Sequence, residues 1–363
     1  MAGSAARASR WLPDVFKEEK LYVIMSDSSS QFVRVSFSDM VERFRSTLLK
    51  VGFEESKAND CATIFATNSL EGIYTHGVNR FPRFVEYVRA GHINPDAVPT
   101  CKARSGSIEQ WDGRLGPGPL NAIQAVDRAV EIARQQGMGC VALGNTNHWM
   151  RGGTYGWRAA HKGCIFIGWS NTTANMPAWG ARDPKLGNNP IVIAVPYGNE
   201  AIVLDMAMSQ YSFGALDYYI KKGQQLPVPG GYANDGKLTT DPDKIRDSQR
   251  ILPIGYWKGA GLSLLLDIVV TLLSGGQSVA QISRQPAETG LSQLFLAIDV
   301  SRLPDFPGID HAISMILDDY HQSIPDGSSP ILYPGERVVA TRNENMAQGI
   351  PVLKSLWENI TAL

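Results

Sequence analysis

Apolar residues recur at helical spacing near both ends of the chain, while its middle carries short β-branched runs, and this change of texture limits the folds open to it. Phe37 to Val51 sets Phe37, Met40, Val41, Phe44, Leu48 and Leu49 on one helical stripe, with Ser38 or Asp39 near its start. Ser56 to Leu70 and Arg80 to Ala90 read as further helices, the second stopped by Gly91. From about Ser105 the pattern changes. A helix over Asn121 to Gln136, closed by Gly137, precedes a buried strand over Gly139 to Leu143, and a short helix over Tyr155 to His161 precedes another at Cys164 to Ser170. Pro190 to Pro196, Ala201 to Met206 and Leu294 to Val300 read as strands, whereas Ile309 to Gln322 and Val352 to Ile360 return to helix. The 363 residues fit about two domains. The expected fold is mixed α/β: a central sheet domain over 106–309 and a helical domain built from both chain ends, 33–105 with 310–363. Residues 221–252, polar and Gly/Pro-rich without periodicity, are expected to be an excursion or long loop.

Residues 1–32 are expected to be an extension outside this fold. Met1 to Ile24 holds Arg7, Arg10, Lys17, Glu18, Glu19 and Lys20 with no secretory apolar run, and Met25 followed by Ser-Asp-Ser-Ser-Ser resembles a second natural start. The longest apolar run, Gly259 to Leu273, reads as too short for a membrane span, is broken by Asp267, and is expected to be a buried core helix. Hydrophobic residues at 44% and charged residues at 19% describe a soluble globular chain with no membrane partner. With 34 Lys+Arg against 35 Asp+Glu, no sequence-wide charge is available to hold a polyphosphate, so no nucleic-acid partner is expected. Cys61, Cys101, Cys140 and Cys164 make no Cys-x-x-Cys pair and have no histidine at zinc-ligand spacing. They read as four apolar fillers in a reducing compartment, the cytoplasm.

No Gly-x-Gly-x-x-Gly follows a strand, and there is no P-loop, His-Glu-x-x-His or Gly-x-Ser-x-Gly. A Rossmann dinucleotide site is therefore disfavoured, and any such site must be built differently. Two of the six histidines stand in contexts suited to chemistry. His76 follows Thr75 at a loop-to-helix junction, with Arg80 and Arg83 after it. An imidazole exchanges a proton near neutral pH, a guanidinium forks onto a carboxylate, and the Thr75 hydroxyl can orient either. Spacing alone leaves open a capping histidine beside surface arginines. His148 lies just past a strand end, in a Gly-rich turn ending Arg151-Gly152-Gly153, where a ligand commonly sits; a tight turn with Trp149 plugging the core is the other reading. Asp205 ends an apolar strand and could hold a ribose hydroxyl or a histidine, or cap a turn. Lys258, after Tyr256 and Trp257, could meet a phosphate or be a solvated helix start.

The runs YTHGVNRFPRF, SIEQWD, NTNHWMRGGTYGW, MPAWGA, GNNPIVIAVP, ILPIGYWKGAG and LSQLFLAIDV resemble the malate/L-lactate dehydrogenase family of non-Rossmann oxidoreductases, and within it the diketogulonate-reducing branch. The resemblance runs from about Val35 to Leu363. It implies a sheet domain that binds NADH, with NADPH as the alternative, a homodimer with the cofactor near its interface, and metal-free reduction of a keto sugar acid by hydride transfer. His76 matches the catalytic acid, and Thr75 stands where most relatives have Ser. Arg80 matches a substrate-carboxylate contact, His148 the nicotinamide pocket, and Arg151 a cation typical of the branch. Cofactor contacts are expected along Ala201, Ile202, Val203, Leu204, Asp205, Met206 and Ala207, at Trp257 and Lys258, and at Gly335, Glu336 and Arg337. Asn188 replaces the Thr common in the family and carries no expectation. The alternatives are a malate, lactate, ureidoglycolate or cyclic imino acid enzyme of the same family, and a catalytically silent sugar-acid binding protein.

Overall fold

A computed structural model describes residues 31–304, 308–327 and 329–363. The expected extension therefore lies outside the described residues, apart from Gln31 and Phe32, and Phe32 already opens strand β1 (Phe32–Val35). Next come α1 (Phe37–Lys50), α2 (Glu55–Leu70) and α3 (Phe81–Arg89). Helix α1 forms where its sequence has both an apolar stripe and a cap. Met40, Phe44, Thr47 and Leu48 are buried on one face, and the Ser36 hydroxyl, two residues earlier than Ser38, accepts the Asp39 N–H. Phe44 stacks on Phe81 at 4.0 Å between ring centroids, locking α1 to α3.

Strands β2 (Thr100–Ser105) and β3 (Ile108–Asp112) form a hairpin that sequence periodicity missed, because β2 is largely exposed and the one buried side chain of β3 is the polar Glu109. The hairpin belongs to the sheet, so a boundary at 105 cuts through it. Then follow α4 (Gly118–Gln136), β4 (Met138–Thr146), α5 (Gly153–Ala160), β5 (Cys164–Ser170), β6 (Ala174–Pro177), β7 (Pro184–Gly187), β8 (Ile191–Tyr197) and β9 (Glu200–Met206). With β12 (Leu291–Asp299), seven strands make one sheet in the order β2-β3-β4-β12-β5-β8-β9. Only β3 and β4 pair in parallel. This mixed sheet is not a doubly wound parallel one, in keeping with the missing glycine fingerprint. Helices α4 and α5 cover one face, with Trp149, Tyr155, Phe166 and Phe295 fully buried between them and the strands.

Residues 221–252 are not a structureless loop. With α6 (Phe213–Lys221) before it, the segment holds a small hairpin, β10 (Gly231–Tyr232) and β11 (Leu238–Thr239), and α7 (Pro242–Ser248). Leu226, Ile245 and Ile251 share a core there with Tyr211, Leu216 and Tyr219. Its apolar residues are too widely spaced to register as one period.

Helix α8 (Trp257–Ser274) corrects a second expectation. Its 18 residues are long and apolar enough to cross a membrane, unlike the shorter run read from the sequence, and only a third of it is buried. Its inner face sets Ala260, Leu266 and Val270 against the sheet, and the Asp267 carboxylate accepts from Asn171 Nδ2 and from the Val279 N–H at the start of α9 (Val279–Ile282). The outer face leaves Leu262, Leu264, Leu265, Ile268, Val269 and Leu272 exposed, so this is not a buried core helix.

After α10 (Ile309–His321) come α11 (Glu336–Gln348), β13 (Ile350–Leu353) and α12 (Lys354–Ala362). The expected helix over Val352 to Ile360 begins as a strand, since β13 pairs antiparallel with β1. Ile350, Val352 and Ile360 then complete the core of α1 to α3, so the two chain ends share one hydrophobic interior. Helix α10 takes no part in that core and buries only Leu317.

Candidate active site

His76 ends a single 3₁₀ turn, Tyr74–His76, between α2 and α3. Gly77 lets this turn lie against α2: a Cβ there would fall well inside contact distance of Ser69 Oγ. The Ser69 hydroxyl accepts the Val78 N–H at 2.8 Å, and buried Asn68 donates to the His76 carbonyl at 3.0 Å while accepting from Thr154 of α5 at 2.8 Å. The His76 backbone is thus fixed by both the helical core and the sheet. Its Nδ1 lies 3.1 Å from Thr75 Oγ1, as the adjacent hydroxyl promised.

His148 faces it. The two imidazole rings are stacked, 5.8 Å apart and 20° from parallel. The Met150 N–H donates to His148 Nδ1 at 2.9 Å, which fixes the neutral tautomer with its proton on Nε2. Asn147 holds the strand exit by donating to the carbonyls of Leu115 and Gly116. Both residues are half-buried, and His148 lines a pocket with Arg80, Arg83 and Glu288. Their pKa values fall to about 3, chiefly through burial, with the neighbouring His148, Arg80 and Arg151 adding for His76, and Arg80 and Arg83 for His148. Both imidazoles are uncharged at neutral pH.

Arg80 lies beside the pair on the α3 side. Arg80 Nη2 stands 4.0 Å from Glu288 Oε1, beyond hydrogen-bond reach, so its donors stay available. Arg151 is placed differently from a free substrate cation. Its side chain is 4% exposed and its guanidinium bonds to Glu71, a carboxylate itself only 7% exposed. Arg342 from α11 closes on the other oxygen of Glu71 at 2.8 Å and also reaches Glu200 of β9. Arg151 still raises the local positive potential felt by His76 and Asp205.

Asp205, at the end of β9, accepts the Gly153 N–H at 2.7 Å and so anchors the first turn of α5 where the helix dipole favours an anion. Burial raises its pKa, with Arg151 and the Gly153 N–H opposing. It makes no hydrogen bond to either imidazole, so of its expected uses the histidine partner is not formed. The remaining candidates converge on β9. The Val203 N–H donates to the Pro334 carbonyl at 2.9 Å, and Gly335 packs so closely that a Cβ would stand 3.1 Å from the Val203 nitrogen, just ahead of Glu336 and Arg337. Beyond β9, Met208 and Gln210 pair with Ile254 and Leu252, which brings the start of α8, with exposed Trp257 and Lys258, to the far end of the same strand.

Sequence reading missed Glu71, Asn68, Arg342 and Glu288. Glu71 meets Arg151 across 80 positions and Arg342 across 271, so no local pattern could single it out. Glu288 lies in an aperiodic turn, and only the fold brings it to Arg80.

Known proteins match this arrangement along almost its whole length. Residues 35–361 match the malate/L-lactate dehydrogenase family. The 2,3-diketo-L-gulonate reductase of Pasteurella multocida is 45% identical over 333 residues, 91% of this chain and 100% of that protein. Its counterpart in Escherichia coli is 44% identical over 334 residues, again 91% of this chain and 100% of that one. The malate dehydrogenase of Entamoeba histolytica has the same fold, with a TM-score of 0.87 at 25% identity, over 92% of this chain and 97% of that one. The chain is an oxidoreductase and belongs to the malate/L-lactate dehydrogenase family.

Proposed function

We propose that this protein reduces a 2-keto sugar acid, 2,3-diketo-L-gulonate, to the corresponding 2-hydroxy acid, 3-dehydro-L-gulonate, with NADH. The observation that carries the reading is the Thr75–His76 pair facing His148 beside a guanidinium with free donors. The reductases of the same substrate named above support the choice of acid. The cofactor reading rests on β9: Ile202, Leu204, Asp205, Met206 and Ala207 are at least partly open, Gly335 fits flat against it, and a cation, Lys258, lies beyond its end. These groups suit an extended dinucleotide laid along a strand, with Asp205 near a ribose hydroxyl and Trp257 and Lys258 beyond the same end of the strand.

Reduced nicotinamide, when bound, supplies the hydride. The protein's own residues supply the rest. Arg80 forks onto the substrate carboxylate and fixes the ketone's orientation. His76, held by Thr75 through Nδ1, takes up a proton as the anionic substrate binds, and the imidazolium then gives its Nε2 proton to the carbonyl oxygen as negative charge grows there. His148 Nε2–H donates to the same oxygen or its neighbour. Arg151, fastened to Glu71, contributes fixed positive potential rather than a mobile contact.

The exposed outer face of α8 supports a homodimer, because a contiguous apolar patch of this kind marks a protein interface. Four free cysteines fit a cytoplasmic location. The deciding experiment is oxidation of NADH with 2,3-diketo-L-gulonate, run beside pyruvate, oxaloacetate and a cyclic imino acid. His76→Asn is expected to lose about 10²–10⁴-fold in kcat while still binding NADH. Undiminished turnover in that variant removes His76 as the acid.

A further inference from the structure

Among the described residues, Glu288 is the one acidic side chain lining the pocket beside His148, and none of the sequence motifs includes it. It comes from the aperiodic turn before β12 and reaches the site through Thr173. The Thr173 N–H and hydroxyl both donate to Glu288 Oε2, at 3.1 and 2.8 Å. That leaves Oε1 directed across a gap toward Arg80, 4.0 Å away and unbonded to it. The opposite wall comes from α3, where Arg80 and Arg83 supply two cations and Tyr87 a hydroxyl that accepts from Arg83 at 3.1 Å.

We infer that Glu288 is a specificity-determining residue that selects polyhydroxylated monocarboxylates over dicarboxylates. Two observations lead there. An anchored carboxylate with one open oxygen is an acceptor for the hydroxyls a sugar acid carries beyond its ketone. Charge counting gives the second. Arg80 and Arg83 against Glu288 leave one net positive charge among the charged side chains that line this pocket. One substrate carboxylate balances that charge. A second would face Glu288 with no cation left for it, and like-charge juxtaposition rejects it. The inference deepens the proposed function and rests on its assignment of this pocket to the substrate.

The test uses binding as well as turnover, with the full chain and its Glu288→Gln and Glu288→Asp variants. Dissociation constants are measured for L-gulonate, L-malate and L-lactate, with and without NADH. The wild type is expected to prefer gulonate to malate. Glu288→Gln keeps the Thr173 bonds and removes the charge; it is expected to weaken gulonate about tenfold or more and to strengthen malate, with lactate changed least. Glu288→Asp, which keeps the charge and shortens the reach, is expected to weaken gulonate while still rejecting malate. An unchanged gulonate-to-malate ratio in Glu288→Gln, or equal loss for all three acids, overturns the inference. Failure of the wild type to reduce diketogulonate while that ratio still follows position 288 sinks the proposed function alone. An unchanged ratio in an enzyme that does reduce diketogulonate sinks this inference alone.

Discussion

Each of the two facing imidazoles is engaged at Nδ1, and their depressed pKa sets a constraint on any proton donor. With a pKa of about 3, His76 carries almost no charge in the open cleft at neutral pH. An anionic substrate beside Arg80 and His76 reverses the local potential and draws the pKa back up. Binding a non-reducible keto-acid analogue is therefore expected to take up protons, read as a calorimetric enthalpy that varies with the ionisation heat of the buffer. Equal enthalpies in all buffers would rule the coupling out. The same shift has a stability consequence of definite sign. An unfolded histidine titrates near 6.5, so between pH 6.5 and 3 the unfolded chain binds more protons than the folded one, and both imidazoles cost stability as the pH falls through that window. At this scale the sequence was informative where chemistry is local: Thr75, His76, Arg80 and His148 were legible from their neighbours. Glu71 and Glu288 were not, because nothing near them in the chain marks what they touch.

Among the elements, helix α8 most clearly separates what periodicity can and cannot say. Its sequence is apolar all round, which reads as burial, yet burial inside one chain accounts for only the face that holds Ala260, Leu266 and Val270. The other face carries Leu265 at 59% and Leu272 at 74% exposure. A homodimer through that face makes a specific claim: Leu265→Glu combined with Leu272→Glu is expected to give a folded monomer by light scattering, with an unaltered far-ultraviolet spectrum. A dimer that persists in this variant would place the interface elsewhere. The helix over Phe37 to Val51 and the strand over Cys164 to Ser170 were legible for the converse reason, since their partners lie in the same chain and their caps and alternation are local. Helix α11 escaped notice because its buried residues, Thr341 and Asn345, are polar and leave no apolar stripe. The β1–β13 pair escaped because two four-residue strands from opposite ends of the chain share no local signal.

For the molecule as a whole, Glu71 is the joint. It sits where α2 ends, grips Arg151 from the turn after β4, and grips Arg342 from α11, which in turn reaches Glu200 on β9. Helical core, sheet and C-terminal helix meet at one carboxylate. Glu71→Gln removes its charge and leaves Arg151 buried without a counterion, which is expected to cost about 3 kcal/mol in urea unfolding. A loss well under 1 kcal/mol would show that solvent or Asp205 takes over the pairing. The division into a sheet and a helical part built from both chain ends was legible in the alternation of texture. The manner of their joining was not, since it depends on side chains from four separate segments.

The clasp of Pro334 and Gly335 on β9 has a further effect. As the outermost strand of the sheet, β9 would present a row of open amides and carbonyls to any extended segment drifting past. The Pro334 carbonyl takes up the Val203 N–H, and the close seat of Gly335 occupies the space that an incoming strand would need. The same few atoms that close this edge keep it from recruiting other chains into aggregates.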